Sequence, residues 1–379
     1  MRAPAALVAA TALNLPFGTL YAFSVFLKPL EALLGVGRAG MSFVFALATI
    51  TLTLGMVVAP SIYGRFRPWT IALACGACSA LGLALAASAQ GFIQFMLGYG
   101  VLFGIGAGAG FILVQQGVNQ SVSARSGLAN GYVVSLYPLG AMLGAPLFGW
   151  TIENYGIRAT LAGLGVVVLV GCSLTALVIK TFDVRMQHEA HGVAGNDSQR
   201  STFFLLATVF FLAAAAGLMV MSQAAGIVQA YGGATALAVG ATTFITGAVG
   251  AARIAGGWLV DRFTIPRVAT GSQLFALGGA LILSLFPGPL VAVPALAMIG
   301  MGYGVVSGLT AAAIARYWGK NAFGRVAGRL YIAWCAAAVT LPIVAGWLYD
   351  RTAGYGAAVL IAGGLNLLAA AVALRLPKP

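Results

Sequence analysis

The sequence predicts an all-α membrane protein of twelve transmembrane helices arranged as two pseudo-symmetric six-helix halves, and three observations carry that prediction. Hydrophobic residues make up 61% of the 379 residues and charged residues 7%, with a mean hydropathy of +0.99. A soluble core has no use for so much apolar side chain. Apolar runs of about 20 residues, each long enough to cross a hydrocarbon layer about 30 Å thick, alternate with short polar or Gly/Pro-rich breaks. Residues of the first half also recur about 197 positions later: Gly64-Arg65-Phe66 answers to Asp261-Arg262-Phe263, Gly127 to Gly324, Gly131 to Gly328, and Gly149-Trp150 to Gly346-Trp347.

Taken in order, the first span runs from Ala5 to Leu27. It is longer than the apolar core of a signal peptide and lacks a convincing cleavage site, so a mature helix is expected. Met41 to Tyr63, Trp69 to Ala87, Phe92 to Val114, Leu128 to Trp150 and Ala159 to Thr181 complete an amino-terminal half over residues 1–181. The longest polar stretch follows, "FDVRMQHEAHGVAGNDSQRST", and residues 182–202 are expected to form a cytoplasmic linker. The second half, 203–379, holds Phe203 to Gln223, Leu237 to Val260, Val268 to Phe286, Leu290 to Ala313, Val326 to Tyr349 and Tyr355 to Leu374. Glycine clusters, "GIGAGAG" from Gly104 and "GMGYG" from Gly300, follow no strand and open no solvated helix, so they read as sites of close helix packing rather than phosphate turns.

The net charge of +13 invites a nucleic-acid reading, but its distribution argues against one. With the amino terminus inside, Arg2, Arg65, Arg67, Arg125, Lys180, Arg185, Arg200, Arg262, Arg267, Arg316, Lys320, Arg325, Arg329, Arg375 and Lys378 fall on the cytoplasmic side. Only Lys28, Arg38, Arg158 and Arg351 fall on the other. That asymmetry places both termini in the cytoplasm of a multi-pass protein of the inner, or plasma, membrane. The lipid bilayer is then a partner and nucleic acid is not; a monomer is expected. Cys75, Cys78, Cys172 and Cys335 all lie in apolar spans, and the lone CxxC of "CGAC" has no second pair or nearby histidine. His188 and His191 belong to the polar linker. Neither metal nor cofactor is expected, and no nucleophile–base pair, metal-ligand cluster or buried acid–base pair points to an enzyme.

One residue breaks the apolar pattern. Arg253 lies in "TFITGAVGAARIAGGWLVDRF", ~12 Å along a helix from the Asp261-Arg262 pair that ends it. An ionised side chain at bilayer depth costs from a few to more than ten kcal/mol, so it is rarely kept without a task. All seven acidic residues, Glu31, Glu153, Asp183, Glu189, Asp197, Asp261 and Asp350, fall in loops or at helix ends. The counterpart of Arg253 one repeat earlier is Met56, so the fold itself does not require the charge. A planar guanidinium grips a carboxylate through two charge-assisted hydrogen bonds, which makes Arg253 a candidate anion site between the halves. Tyr21, Gln115, Asn119, Tyr137, Tyr303, Tyr331 and Trp334 are candidate lining residues, offering apolar walls with polar tips.

The plan of twelve helices in two halves resembles the major facilitator superfamily along essentially the whole chain. "GGWLVDRF" (Gly256 to Phe263) is similar to that superfamily's G-x-x-x-D-R cytoplasmic motif, and "PSIYGRFR" (Pro60 to Arg67) is its first-half counterpart with Gly64 in place of the usual Asp. The resemblance implies that Arg65, Asp261 and Arg262 act in gating, with a weaker charge pair in the first half. "GTLYAFSVFLKPL", "SGLANG" and the R-x-x-x-G-x-x-x-D of Arg253, Gly257 and Asp261, with "FGRVAG" and "AGWLYDRTAGY", resemble the branch of oxalate/formate antiporters and monocarboxylate transporters. That branch implies a helix-eight arginine, here Arg253, that binds substrate carboxylate.

Departures from the branch narrow the substrate. Oxalate/formate antiporters carry a lysine in helix eleven where Trp334 stands, which favours one carboxylate over two. Animal monocarboxylate transporters carry an Asp and a helix-one Lys where Val249 and Tyr21 stand, so coupling is expected to use the substrate's own proton, a counter-anion or a group near a helix end. The expected function is secondary transport of small organic anions, most simply monocarboxylates such as lactate, pyruvate or formate. An oxalate/formate-type anion exchanger is one alternative. The other is a drug/proton antiporter, on the strength of "GAMLGAPLFG", although no membrane-embedded acid accompanies it.

Overall fold

A computed structural model of the chain describes residues 2–183, 197–352 and 354–378. His188, His191 and residues 184–196 of the expected linker lie outside these. Among the described residues there is no strand, and eleven helical segments are long and apolar enough to cross a membrane. One of them, α7 (Ser126–Thr181), is 56 residues long, about 84 Å at 1.5 Å per residue, and makes two crossings. Its seam is Gly156, at φ 79°, ψ 166°, a conformation that strains any side chain bearing a Cβ. Twelve crossings result, as the apolar periodicity predicts.

In order, the first crossing comprises α1 (Arg2–Gly18), a 3-10 turn over Thr19–Phe26, and α2 (Leu27–Leu34). Pro16 lacks an N–H, and Thr19 Oγ1 donates to the Pro16 carbonyl at 2.6 Å, where the helix tightens. The segment therefore runs past the Leu27 expected from hydropathy alone. Next come α3 (Arg38–Val58) and α4 (Pro68–Ala87). The fourth crossing joins α5 (Phe92–Phe95), a π-helical stretch Met96–Phe103 and α6 (Gly104–Ser121). After α7 follow α8 (Asp197–Met221), α9 (Ala224–Ala230), α10 (Thr235–Val260), α11 (Ile265–Leu285), α12 (Pro289–Trp318), α13 (Phe323–Thr352) and α14 (Gly356–Ala373).

Large aliphatic side chains are as prominent outside as within: Ile93 is 67% exposed and Leu285 70%, while alanines and glycines dominate the helix contacts. In water such a surface would associate; facing lipid it costs nothing, and the helices satisfy their own backbone. The chain forms two compact units. One comprises Met1–Ala124, Leu136–Gly192 and Gly319–Tyr331, and within it α6 packs against α1, α3 and α4. The other comprises Arg125–Ser135, Val193–Trp318 and Ile332–Pro379, and within it α12 packs against α8, α10 and α11.

The internal repeat has a counterpart in three dimensions. A Cβ on Gly131 would stand 2.5 Å from the carbonyl oxygen of Arg253, and one on Gly328 would stand 2.6 Å from that of Met56. Gly131 and Gly328 are repeat partners, and so are Arg253 and Met56. Each unit thus contains the same close helix contact, with a guanidinium in one and a thioether in the other.

Candidate functional site

Among the described residues Arg253 is the one charged side chain that is buried, at 4% exposure. It projects from α10, whose flanking sequence "GAARIAGG" keeps small residues on both sides and lets neighbouring backbones close in. Besides Gly131 from α7, Gly308 from α12 lies against the residue-253 carbonyl so closely that an added Cβ would overlap it. The backbone at Arg253 is therefore held from two sides.

The guanidinium is directed as firmly. Its Nη1 donates to the Val134 carbonyl at 2.9 Å, and its Nη2 donates to the Tyr303 hydroxyl at 3.1 Å, with Cζ 5.4 Å from the Tyr303 ring centroid. The Val134 carbonyl is available for a structural reason. Four residues on, Pro138 sits inside α7 and has no N–H to give it. The sequence reading did not include Val134, since a backbone acceptor carries no residue-type signal; Pro138 was the only clue to it.

Tyr303, from α12, also accepts a hydrogen bond from Trp334 Nε1 of α13 at 2.8 Å. A phenol oxygen has two acceptor positions and one proton. Arg253 and Trp334 occupy the acceptor positions, which leaves the proton for a further acceptor. Arg253, Tyr303, Trp334 and the Val134 carbonyl all belong to one compact unit. The arrangement sets two donors, the guanidinium and the phenol O–H, beside each other at a buried position, a pair that suits a carboxylate, with the indole N–H engaged by the Tyr303 oxygen.

The remaining predicted lining residues gather in the other unit. Tyr21, in the 3-10 turn, meets Tyr137 edge-on at 5.8 Å, and Tyr137 donates to the Ala107 carbonyl at 3.2 Å. Phe111, absent from the sequence reading, meets Tyr137 at 5.2 Å and Tyr331 at 5.5 Å, both edge-on. Asn119 Nδ2 donates to the Gln115 carbonyl at 3.0 Å. Gln115 is fully buried, and its side-chain amide has no partner among the described residues. Its neighbour Gln116, also absent from the sequence reading, is fully engaged: Oε1 accepts from Gly324 N at 2.7 Å and Nε2 donates to the Lys320 carbonyl at 3.0 Å.

The expected gating residues are placed as follows. The Asp261 carboxylate accepts the backbone N–H groups of Gly127 and Leu128, both at 2.9 Å, and so caps the start of α7. Arg316 reaches the same carboxylate at 3.4 Å. Arg262 stacks over Trp258, with Cζ 4.1 Å from the ring centroid. Arg65 is exposed in the turn after the 3-10 segment Ala59–Ile62, its backbone N–H bonded to the Ile62 carbonyl at 3.0 Å, and belongs to the other unit. Among the described residues Cys75, Cys78, Cys172 and Cys335 form no disulfide, and no group of three or more His, Cys, Asp or Glu side chains comes together.

Comparison with known proteins bears on the family and the fold. The profile of the Major Facilitator Superfamily matches residues 7–340. Among curated proteins, the chain is 26% identical over 325 residues to an uncharacterized MFS-type transporter, YhjX, of Escherichia coli (strain K12), covering 83% of this chain and 80% of that one. It is 25% identical over 378 residues to monocarboxylate transporter 13 of Rattus norvegicus, covering 96% of this chain and 86% of the relative. Among solved structures, the proton:xylose symporter XylE superposes with a TM-score of 0.79 at 14% identity, over 100% of this chain and 96% of its own. FucP in its outward conformation gives 0.76 at 14% identity, over 99% of both chains. The two structures speak to the fold alone.

Proposed function

The chain belongs to the Major Facilitator Superfamily and is a multi-pass membrane transporter rather than an enzyme, and from that premise we propose that it carries small monocarboxylates, with Arg253 binding the carboxylate. One observation carries this reading: the Tyr303 hydroxyl accepts from both Arg253 and Trp334, which leaves its own proton for a further acceptor beside a buried guanidinium. A carboxylate entering there meets a charge-assisted donor and a phenol donor together, and Trp334 supplies an apolar wall for the rest of the acid. A single cation in the trio suits one carboxylate rather than two. The relatives described as monocarboxylate transporters support the substrate class.

Transport would follow from alternating access, with the acid held more tightly in an occluded state than in either open one. Tyr21, Gln115, Asn119, Tyr137 and Tyr331 are proposed to line the path, and Arg65, Asp261 and Arg262 to act in gating. Residues 1–181 and 203–379 are proposed as the two functional halves of a monomer in an inner membrane, with cytoplasmic termini and linker. The coupling partner is proposed to be the substrate's own proton or an exchanged anion.

Counterflow in proteoliposomes tests the reading. Vesicles are loaded with unlabelled lactate, pyruvate, formate or oxalate, and entry of the same labelled acid is followed for wild type, Arg253→Gln and Arg253→Lys. Uptake of a monocarboxylate is expected in wild type, its loss in Arg253→Gln, and partial rescue in Arg253→Lys, whose point charge does not reproduce the bidentate fork. Near-normal uptake by a folded Arg253→Gln protein sinks the carboxylate-clamp assignment.

A further inference from the structure

Away from Arg253, the cytoplasm-directed end of α10 and start of α11, as the positive-inside rule orients them, line a groove of ≈ 390 Å³ with the middle of α12. Leu259 and Phe263 come from the end of α10 and the turn after it, Val268, Gly271, Ser272 and Phe275 from α11, and Met301, Gly302 and Val305 from α12. Arg267 is the one charged residue that lines it. It shares a face of α11 with Gly271 and Phe275, at successive four-residue steps. Its side chain is exposed and makes no ion pair among the described residues.

Small residues shape this groove. Gly302 lies so close to α11 that a Cβ there would stand 2.5 Å from Ala276 Cβ, which sets the floor. A Cβ at Gly271 would meet nothing within 4 Å, which leaves the wall open. Phe263, which lines the groove, is half exposed, and at the same end of α10 Trp258 is partly exposed beneath the stacked Arg262. Aromatic side chains next to arginines at a helix end mark the depth of the lipid headgroups. An apolar trough running from that depth toward the bilayer interior, with a cation at its mouth, matches one kind of molecule.

We infer that this groove is a binding site for a phospholipid with an anionic headgroup, one acyl chain lying against Gly271 and Phe275 and the phosphate region paired with Arg267. Basic pockets between transmembrane helices on the cytoplasmic side hold anionic lipids by this combination of buried chain and screened charge. The site is independent of the transported substrate.

Native mass spectrometry on the purified, delipidated protein tests it. Phosphatidylglycerol and phosphatidylcholine of identical acyl chains are offered in equimolar mixed micelles, and retained lipid is counted. Wild type is expected to hold phosphatidylglycerol about fivefold over phosphatidylcholine, the increment of one arginine near the surface. Arg267→Gln is expected to hold the two alike, and Arg267→Lys to keep the preference. Gly271→Leu fills the groove with the charge intact and should lose both lipids; its side chain enters open space, and Arg267 is exposed, so both substitutions spare the fold. Absence of headgroup preference in wild type, a preference that survives Arg267→Gln, or undiminished retention in Gly271→Leu overturns the site.

Discussion

At the scale of single residues, Tyr303 is the hinge of the proposed site, because one oxygen orients both Arg253 and Trp334. Tyr303→Phe removes the shared acceptor and the hydroxyl proton at once. Hydrogen bonds to charged groups contribute about 1.5–3 kcal/mol, so the half-saturation concentration for the acid in counterflow is expected to rise tenfold or more. Trp334→Phe, which removes one donor and keeps the apolar wall, should raise it less. Arg253 was legible in the sequence because charge at bilayer depth is costly and its repeat partner is Met56. Val134 was not, because a carbonyl belongs to every residue; only the missing N–H of Pro138 singles it out. Phe111 was hidden for a different reason: among 21 phenylalanines, nothing in the pattern separates a packing ring from one that joins Tyr137 to Tyr331.

At the scale of elements, two helix starts related by the repeat are capped by unlike groups. Gly127, opening α7, donates to the carboxylate of Asp261; its partner Gly324, just inside α13, donates to the amide oxygen of Gln116. The sequence presents Gly64 at the repeat partner of Asp261 and so reads as a lost acid. It does not reveal that a side chain from a different helix, α6, takes over the hydrogen bond, because the replacement lies outside the repeat register: Gln116 has Ala313 as its own counterpart. Asp261→Ala leaves two backbone donors uncapped at a helix N-terminus and is expected to cost about 1–2 kcal/mol. Gln116→Ala orphans the Gly324 N–H and is expected to cost about 1 kcal/mol. Thermal melting of the detergent-solubilised protein checks both. Unchanged melting in either variant would remove the capping role from that residue.

At the scale of the whole molecule, twelve crossings were legible because bilayer thickness dictates helix length and composition dictates where the lipid lies. The 3-10 turn over Thr19–Phe26 and the π-helical stretch Met96–Phe103 were not, since i→i+3, i→i+4 and i→i+5 bonding draw on the same residues and neighbouring helices decide among them. Duplication thus explains the plan, and divergence explains where the halves differ. The unlike caps carry a consequence for how the protein responds to electrolyte. Asp261 acts through charge and is only partly shielded, with 15% of its side chain exposed, whereas Gln116 acts through a neutral amide. Raising salt from 0.1 to 1 M shortens the Debye length from about 10 Å to about 3 Å. Hydrogen exchange at the Gly127 and Leu128 amides is therefore expected to quicken, while exchange at Gly324 stays as it was. Ionic strength would then act on the cap in one compact unit and leave its repeat counterpart in the other unmoved.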